Sequence, residues 1–471
     1  MSASKITRER LGNKGFHLHL LSERGYPVPP FAVLDGPAIR AGVDRASIAA
    51  LLDRLRGEAA TRMAVEPEAV AFAVRSSPPV SMPGMMDTLL GLGVGETAVP
   101  ALTARLGSAE LARTLLRIGE RDLRTHLGER VPEEPVDQVH AAVAAVRDSW
   151  NNERARDYRR DQGISDGLAP AVVVQAMVFG LGERSGSGVV FSHDPLTGAR
   201  GMHGEYLSAS TGAALVAGQV TPEGLARLAR ESPAAHAELD RFVGELFAWQ
   251  RVLIEVEFVV ERGRLWLVQL RAATASEAVR TVVTIDAWRS GLLDRATALV
   301  RLSPRALCAE DRQEAAAGHG RLLATGIGAA GGVATGRVVR TVEEALAHAG
   351  EPVVLLRPTT EPEDFLGMTQ SAGIITLAGG FGSHAAVVAR ELGRPAVVGA
   401  RFTDPDWPDA PHAAATVTVC GTTGRVWEGR VPAVSRPAVD WPADLLGDAP
   451  PDGERPARLR ELLAANEKGR R

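Results

Sequence analysis

The chain has 471 residues, 45% hydrophobic and 23% charged, with a formal net charge of −4. That length exceeds what one hydrophobic core usually serves, so two or three domains are expected, in a composition ordinary for a soluble globular protein. The charge argues against a broad nucleic-acid surface, the two cysteines (Cys308, Cys420) cannot build a disulfide framework, and the polar start MSASKITRER with no membrane-length apolar run points to a cytoplasmic protein without a membrane partner.

LGNKGFHLHLLSERG reads as a glycine turn followed by a helix that stops at Gly25. YPVPPFAVL is extended, AFAVRSS is a short strand, and SMPGMMDTLLGLG is a loop. Apolar residues recur every three to four positions over 101–160, a helical pattern. AVVVQAMVFG and GVVFSHDP are β-branched runs joined by GLGERSGS, which predicts a hairpin with a glycine-rich tip. LIEVEFVV and LWLVQLR predict a second hairpin. Residues 275–325 read as helical and link-like. From about 330 a new unit begins, in which ATGRVVR, PVVLLRP, GIITLAGG and PAVVGA are strands, SHAAVVARELG is a helix and TVTVCGTTGRVWEG is a closing hairpin. Residues 432–456 are proline-rich and extended, and ARLRELLAANEKGRR reads as a short helix.

Two places carry chemistry. The first is the glycine tip with the second hairpin. Glycines there let backbone N–H groups approach phosphates, although a flexible hairpin tip gives the same pattern. Glu255 and Glu257 share one strand face, as do Gln269 and Arg271 on the return strand. Such oxygens suit Mg²⁺ and a polyphosphate; a cleft wall and a solvent face remain equal readings of that polar side. Lys14 and Arg75 are the other candidate cations. Lysine occurs only at positions 5, 14 and 468, so Lys14 does not come from a lysine-rich background. The second place is GGFGSHAAVVAR, which sets His384 in the first turn of a helix after Gly379, Gly380 and Gly382. A helix N-terminus stabilises an anion and disfavours imidazolium, so a histidine there can act as a nucleophile, and one that only packs or caps gives the same pattern. Ser383 is a helix cap or a phosphoryl contact.

LGNKGFHL, AVRSS, SMPGMMDTLLGLG, SWNNERARDYRR, QAMVFG, SGSGVVFSHDPLTG, GEYL, IEVEFVV, LWLVQLR, EPEDFLGMTQSAGIIT and GGFGSHAAVVARELGRPAVVG together resemble the segments of the pyruvate, phosphate dikinase family, in that family's order. They resemble phosphoenolpyruvate synthase and rifampicin phosphotransferase more loosely. The resemblance covers about residues 5–430 and implies a mixed α/β fold. It implies an ATP-grasp nucleotide-binding domain over 1–275 with a helical insertion at about 101–165. A helical linker over 276–329 follows, then a swivelling β/β/α phosphohistidine domain over 330–431 and an extended tail over 432–471. It also implies an enzyme that splits ATP to AMP and passes the β-phosphoryl group to His384. Lys14, Arg75 and Arg271 match phosphate contacts. Glu257 and Gln269 match Mg²⁺ and ATP ligands, with Glu255 where the family usually carries aspartate. Gly182, Gly186 and Gly188 match a phosphate-covering loop, Gln175 and Met177 lie near the expected adenine strand, and Glu205 completes the nucleotide-binding set.

The sequence departs from the family twice. A regulatory threonine normally stands two residues before the histidine; here Gly382 does, which excludes control by phosphorylation at that position. Residues 432–471 are also too few for the family's β/α barrel, a fold of about 200 residues or more. The expected function is therefore a phosphotransferase using ATP, with inorganic phosphate as a candidate co-substrate, that delivers its phosphoryl group in trans. The favoured acceptor is pyruvate on a separate barrel protein; a kinase acting directly on a small molecule is the second reading. A non-catalytic ATP-sensing protein is the third, and the intact set of Lys14, Arg75, Glu257, Gln269, Arg271 and His384 argues against it.

Overall fold

The computed structural model describes residues 6–468 apart from 81, 83, 129–130, 210–222, 304–305, 308–311, 317, 408–414, 437–438, 449–450 and 452–453. Lys5, Pro83, Pro304, Cys308, Pro437 and Pro450 lie outside the described residues.

Two antiparallel sheets build the first unit. Strands Phe31–Leu34 (β1), Phe72–Ser77 (β2), Thr88–Leu92 (β3) and Ala171–Ala176 (β4) pair in the order β1-β4-β2-β3. Strands Gly186–His193 (β5), Arg200–Ser208 (β6), Glu223–Gly224 (β7), Ile254–Glu261 (β8) and Arg264–Ala272 (β9) pair in the order β7-β6-β5-β8-β9. The expected hairpin across GLGERSGS is not formed: β4 and β5 belong to different sheets. Each is buried along its whole length and pairs on both edges, β4 with β1 and β2, β5 with β6 and β8. Two apolar runs around a glycine loop look alike locally whether the chain turns back or crosses to another sheet; pairing elsewhere decides.

Helices cover both sheets, and their starts follow the capping residues. Asp44 accepts from Ser47 N at the head of Arg45–Met63, and Ser108 accepts from Glu110 N and Leu111 N at the head of Ala109–Leu127. Glycines at 107 and 128 close helices in this region. The expected helical run over 101–160 is thus present.

After the helices Glu277–Arg289 and Arg295–Arg301, strand Arg312–Ala315 (β10) leads into the second unit. Its strands are Leu322–Ala330 (β11), Val333–Val339 (β12), Val353–Arg357 (β13), Gly373–Thr376 (β14), Ala396–Phe402 (β15), Thr416–Cys420 (β16) and Arg425–Glu428 (β17). They close a barrel in the order β11-β15-β14-β13-β12-β16-β17. Its first strand starts before residue 330, inside the expected linker. The barrel interior is apolar, with Leu323, Val354, Ile375, Val397, Val417 and Val426 among its residues. Strands β12 to β15 run parallel, and helix His384–Leu392 crosses between β14 and β15. The helix therefore begins beyond the carboxyl end of β14, where open α/β units bind ligands.

Strand Ala433–Arg436 (β18) pairs with β10. The remaining tail folds back on the first unit: Leu445, Leu446 and Leu459 are buried in its largest apolar cluster, and Arg289 pairs with Asp444 at 2.6 Å.

The two units share a core. Met82, Met85, Trp150 and Tyr158 of the first pack with Phe365, Met368, Ala385 and Ala386 of the second. Each Met or Phe side chain among them, fully removed from water, contributes about 1.5–3 kcal/mol. This apolar seam includes Ala385 and Ala386 in the first turn of the His384 helix.

Candidate phosphohistidine and nucleotide site

The cation cluster begins with a backbone contact. Gly12 has φ +67 and interrupts helix Arg8–Glu23; a Cβ there would lie 1.6 Å from Ser77 O. Only glycine lets this turn press onto the end of β2. Ser77 Oγ then donates to Leu11 O at 2.8 Å and accepts from Gly15 N at 2.9 Å. Lys14 is thereby held over β2, its Nζ donating to Ser76 O at 3.0 Å. Burial, and secondly the Arg75 charge, lower the Lys14 pKa to about 8.

Arg75 reaches across from β2 to the other sheet. Its guanidinium donates to Val268 O at 2.8 Å, Gln269 Oε1 at 2.8 Å, Glu257 Oε2 at 3.2 Å and Gln175 Oε1 at 3.1 Å. In the β8–β9 register Glu257 stands opposite Gln269 and Glu255 opposite Arg271. Arg271 is committed to Glu255 at 2.7 Å, and Glu255 is only 3% exposed. The paired polar face is therefore a cleft wall between sheets, not a solvent face. Lys14, Arg75, Gln175, Glu255, Glu257, Gln269 and Arg271 are gathered in this cleft. Its acceptors, Glu257 and Gln269 foremost, are all oxygens, the donor type that Mg²⁺ takes alongside phosphates.

Five expected nucleotide contacts have other local engagements. Gly186 and Gly188 lie inside β5, where a Cβ would come 2.4 Å from the Tyr206 ring and 2.3 Å from the Phe258 ring. They are glycine because aromatic rings fill that space, and their backbone belongs to the ladder with β6 and β8. Gly182 remains in the crossover, whose next residues are tied to the β8–β9 turn by Gly263 N to Arg184 O and Arg262 N to Ser185 Oγ. Met177 accepts from Gly91 N through its sulfur and packs with the apolar group around Phe179. Glu205 is engaged by the second unit: its carboxylate accepts from Phe381 N, and from Gly382 N at 3.2 Å.

His384 is 9% exposed and sits at the first position of its helix. Ser383 is the cap, accepting from Ala386 N and donating to Gly380 O at 2.7 Å. Thr360 Oγ1 lies 3.1 Å from His384 Nδ1, while Nε2 is buried with no hydrogen-bond partner. Desolvation lowers the imidazole pKa to about 4, against the weaker pull of Asp364 and Glu363. The ring is thus neutral at physiological pH, with one nitrogen spoken for and the other open.

Several neighbours carried no signal in the sequence. Thr360 precedes the capping box of Glu361 and Asp364, a pattern that marks a helix start but not its closeness to residue 384. Gly84 abuts the imidazole. Arg154 bridges the units, pairing with Asp87 and with Glu363 at 2.5 Å. Tyr158 donates to Glu391 at 3.3 Å, and burial, opposed by Arg271, raises the Glu391 pKa to about 7.

A histidine-bearing unit seated over an ATP-grasp cleft defines a class of protein with a nucleotide-binding domain and a mobile histidine domain. Residues 35–242 match the family described as pyruvate phosphate dikinase, AMP/ATP-binding domain, and residues 349–424 the one described as PEP-utilising enzyme, mobile domain. The chain is 32% identical over 504 residues to pyruvate, phosphate dikinase 2 of Oryza sativa subsp. japonica, covering 93% of this chain and 57% of that protein. It is 32% identical over 507 residues to pyruvate, phosphate dikinase of Rhizobium meliloti (strain 1021), covering 90% and 56%. To the chloroplastic pyruvate, phosphate dikinase 1 of Arabidopsis thaliana it is 31% identical over 457 residues, covering 84% and 48%. The chain belongs to the pyruvate, phosphate dikinase family and spans about half the length of the curated relatives it matches. Among the described residues no helix is long and apolar enough to cross a membrane.

Proposed function

We propose that this chain is the donor half of a dikinase-type phosphotransferase. ATP binds in the cleft between the sheets, and His384 takes its β-phosphoryl group. The observation that carries this reading is the buried, unpartnered Nε2 of His384, on a helix whose Arg390 and Glu391 lie within electrostatic reach of Arg271 and Glu255. With Nδ1–H donating to Thr360, the Nε2 lone pair attacks the β-phosphorus. An N–P bond forms, and the bond from the β-phosphorus to the oxygen bridging it to the α-phosphate breaks, with its electron pair leaving on AMP. The γ-phosphoryl group then passes to inorganic phosphate or to water. Lys14, Arg75 and Arg271 offset charge on the phosphate oxygens in a cleft shielded from water. Mg²⁺ held by Glu257 and Gln269 would add further positive charge at those oxygens when bound.

Delivery then requires the second domain to undock, since His384 is buried in this arrangement. The described residues that follow it pack back against the nucleotide-binding domain. Our reading places the acceptor, pyruvate, on a barrel supplied by a separate protein. The test mixes the protein with ATP and inorganic phosphate, then adds pyruvate with a candidate barrel protein. Phosphoenolpyruvate formed only when both proteins are present supports the reading; none formed with any pyruvate-binding partner, while phosphohistidine accumulates, points to a different acceptor.

A further inference from the structure

A cavity of about 340 Å³ lies between helix Pro233–Gln250, the ends of β5 and β6 at their connecting turn, and the residues just after helix Glu277–Arg289. None of Lys14, Arg75, Glu257 and His384 lines it. Its volume falls in the range of about 300–1,000 Å³ that small-molecule sites span. Val243, Phe247 and Leu292 give it an apolar wall. Gly244 stands beside them, inside an 18-residue helix. Its φ is outside the left-handed region, and a Cβ there would meet no atom within 4 Å. Neither backbone nor packing calls for glycine, which weakens a helix interior relative to alanine. What the missing side chain leaves is room in the cavity.

The same cavity carries an open charge of each sign. Arg200 donates through Nη1 to Ser290 Oγ at 2.9 Å, and Nη1 lies 3.5 Å from Asp286. Its Nε and Nη2 bond to no described residue. The carboxylate of Asp240, one turn before Gly244, likewise bonds to no described residue, and no ion pair joins it to Arg200. The third polar group is already taken: buried His193 has Nε2 3.2 Å from Asp286 and Nδ1 3.0 Å from Ser192 Oγ.

We propose that this cavity binds a free amino acid with an apolar side chain. The two open donors of Arg200 take the α-carboxylate side by side, the geometry in which a guanidinium holds a carboxylate best. Asp240 takes the α-ammonium, and the side chain lies over Gly244 against Val243 and Phe247. A purely anionic ligand would meet the Asp240 carboxylate, and a purely apolar one would cover both charges without pairing either. The site stands apart from the reading of His384, and no nucleotide takes part in it.

The test titrates the whole chain, without nucleotide, with L-phenylalanine and with L-leucine in a calorimeter. Saturable binding of either, one per chain with a Kd of about 1 mM or tighter, is expected; binding of neither overturns the site. Analogues of the bound amino acid that lack the ammonium (phenylpropionate, isocaproate) or the carboxylate (phenethylamine, isoamylamine) should each bind at least about tenfold more weakly. An analogue that binds as well as its amino acid contradicts recognition of a zwitterion. Gly244→Leu fills the cavity with a residue helices favour, so binding should vanish while the thermal midpoint of the free protein stays or rises. Wild-type affinity in Gly244→Leu overturns the site. Asp240→Asn should weaken binding at least about tenfold, and unchanged affinity overturns its role. The Asp240 side chain holds no other described residue, so that variant reads the ligand contact and not the fold.

Discussion

Gly84 lies against the imidazole of His384: a Cβ at position 84 would come within 2.7 Å of Cδ2 and 2.9 Å of Nε2. The loop that carries it, between β2 and β3, thus forms the wall the open nitrogen faces. Gly84→Ala is expected to slow phosphorylation of His384 about a hundredfold by filling that space. Gly84 is exposed and has φ +71, so the backbone strain of an alanine there is about 1 kcal/mol and the thermal midpoint should shift only modestly. Phosphorylation rate and thermal denaturation, measured on one preparation, check the split.

The pH dependence has a defined sign. The His384 pKa is about 4 in the docked arrangement against an ordinary value of 6.5. Its neutral ring therefore contributes stability to docking that is fully present above 6.5 and is lost as pH falls toward 4. The acid limb of His384 phosphorylation should lie below 6.5 in the wild type and move back toward 6.5 in Gly380→Ala, whose Cβ would lie 2.1 Å from Glu205 Oε1 and so disfavour docking. Glu391 works in the opposite direction: its pKa is about 7 against an ordinary 4.5, so its contribution is present below 4.5 and is lost as pH rises through 7. Glu391→Gln should flatten the alkaline side. Rate profiles of the three forms decide both points.

Lys14 predicts a second titration. Its pKa is about 8, lowered first by burial and then by Arg75. Phosphate oxygens favour the ammonium, so ATP affinity should be full below pH 8 and fall by up to about tenfold per unit above it. Lys14→Arg keeps its charge and should remove the slope. Calorimetric titrations between about pH 7 and 9.5 measure it.

Gly12 sets the cluster's geometry. Gly12→Ala brings a Cβ to 1.6 Å from Ser77 O at a φ of +67, and the turn must leave β2. The expected result is a loss of about 3 kcal/mol of stability and an ATP affinity reduced at least as much as by Lys14→Ala. Denaturant unfolding and nucleotide titration read the two effects.

The sequence disclosed what local periodicity controls. The β8–β9 hairpin, the strands β12–β17 and helix His384–Leu392 stand where their apolar patterns put them. Glu255 with Arg271 and Glu257 with Gln269 pair as their spacing in two adjacent strands requires. What pairing and docking decide was hidden. The crossing between β4 and β5 leaves the local pattern of a hairpin. Gly186 and Gly188 looked like a loop because only the distant Tyr206 and Phe258 rings reveal why they lack side chains. The backbone partners of Glu205 were hidden because they lie 176 and 177 residues away in another domain. Thr360 and Gly84 likewise meet His384 only through folding.

The central claim is that His384 accepts a phosphoryl group from ATP. It is tested most directly by incubating the pure protein with Mg²⁺ and ATP labelled at the β-phosphate, then mapping the label. The account predicts AMP together with acid-labile label on His384 in the wild type, and neither in His384→Ala. A wild type that forms no AMP and carries no label, or a His384→Ala variant labelled as strongly as the wild type, would contradict it.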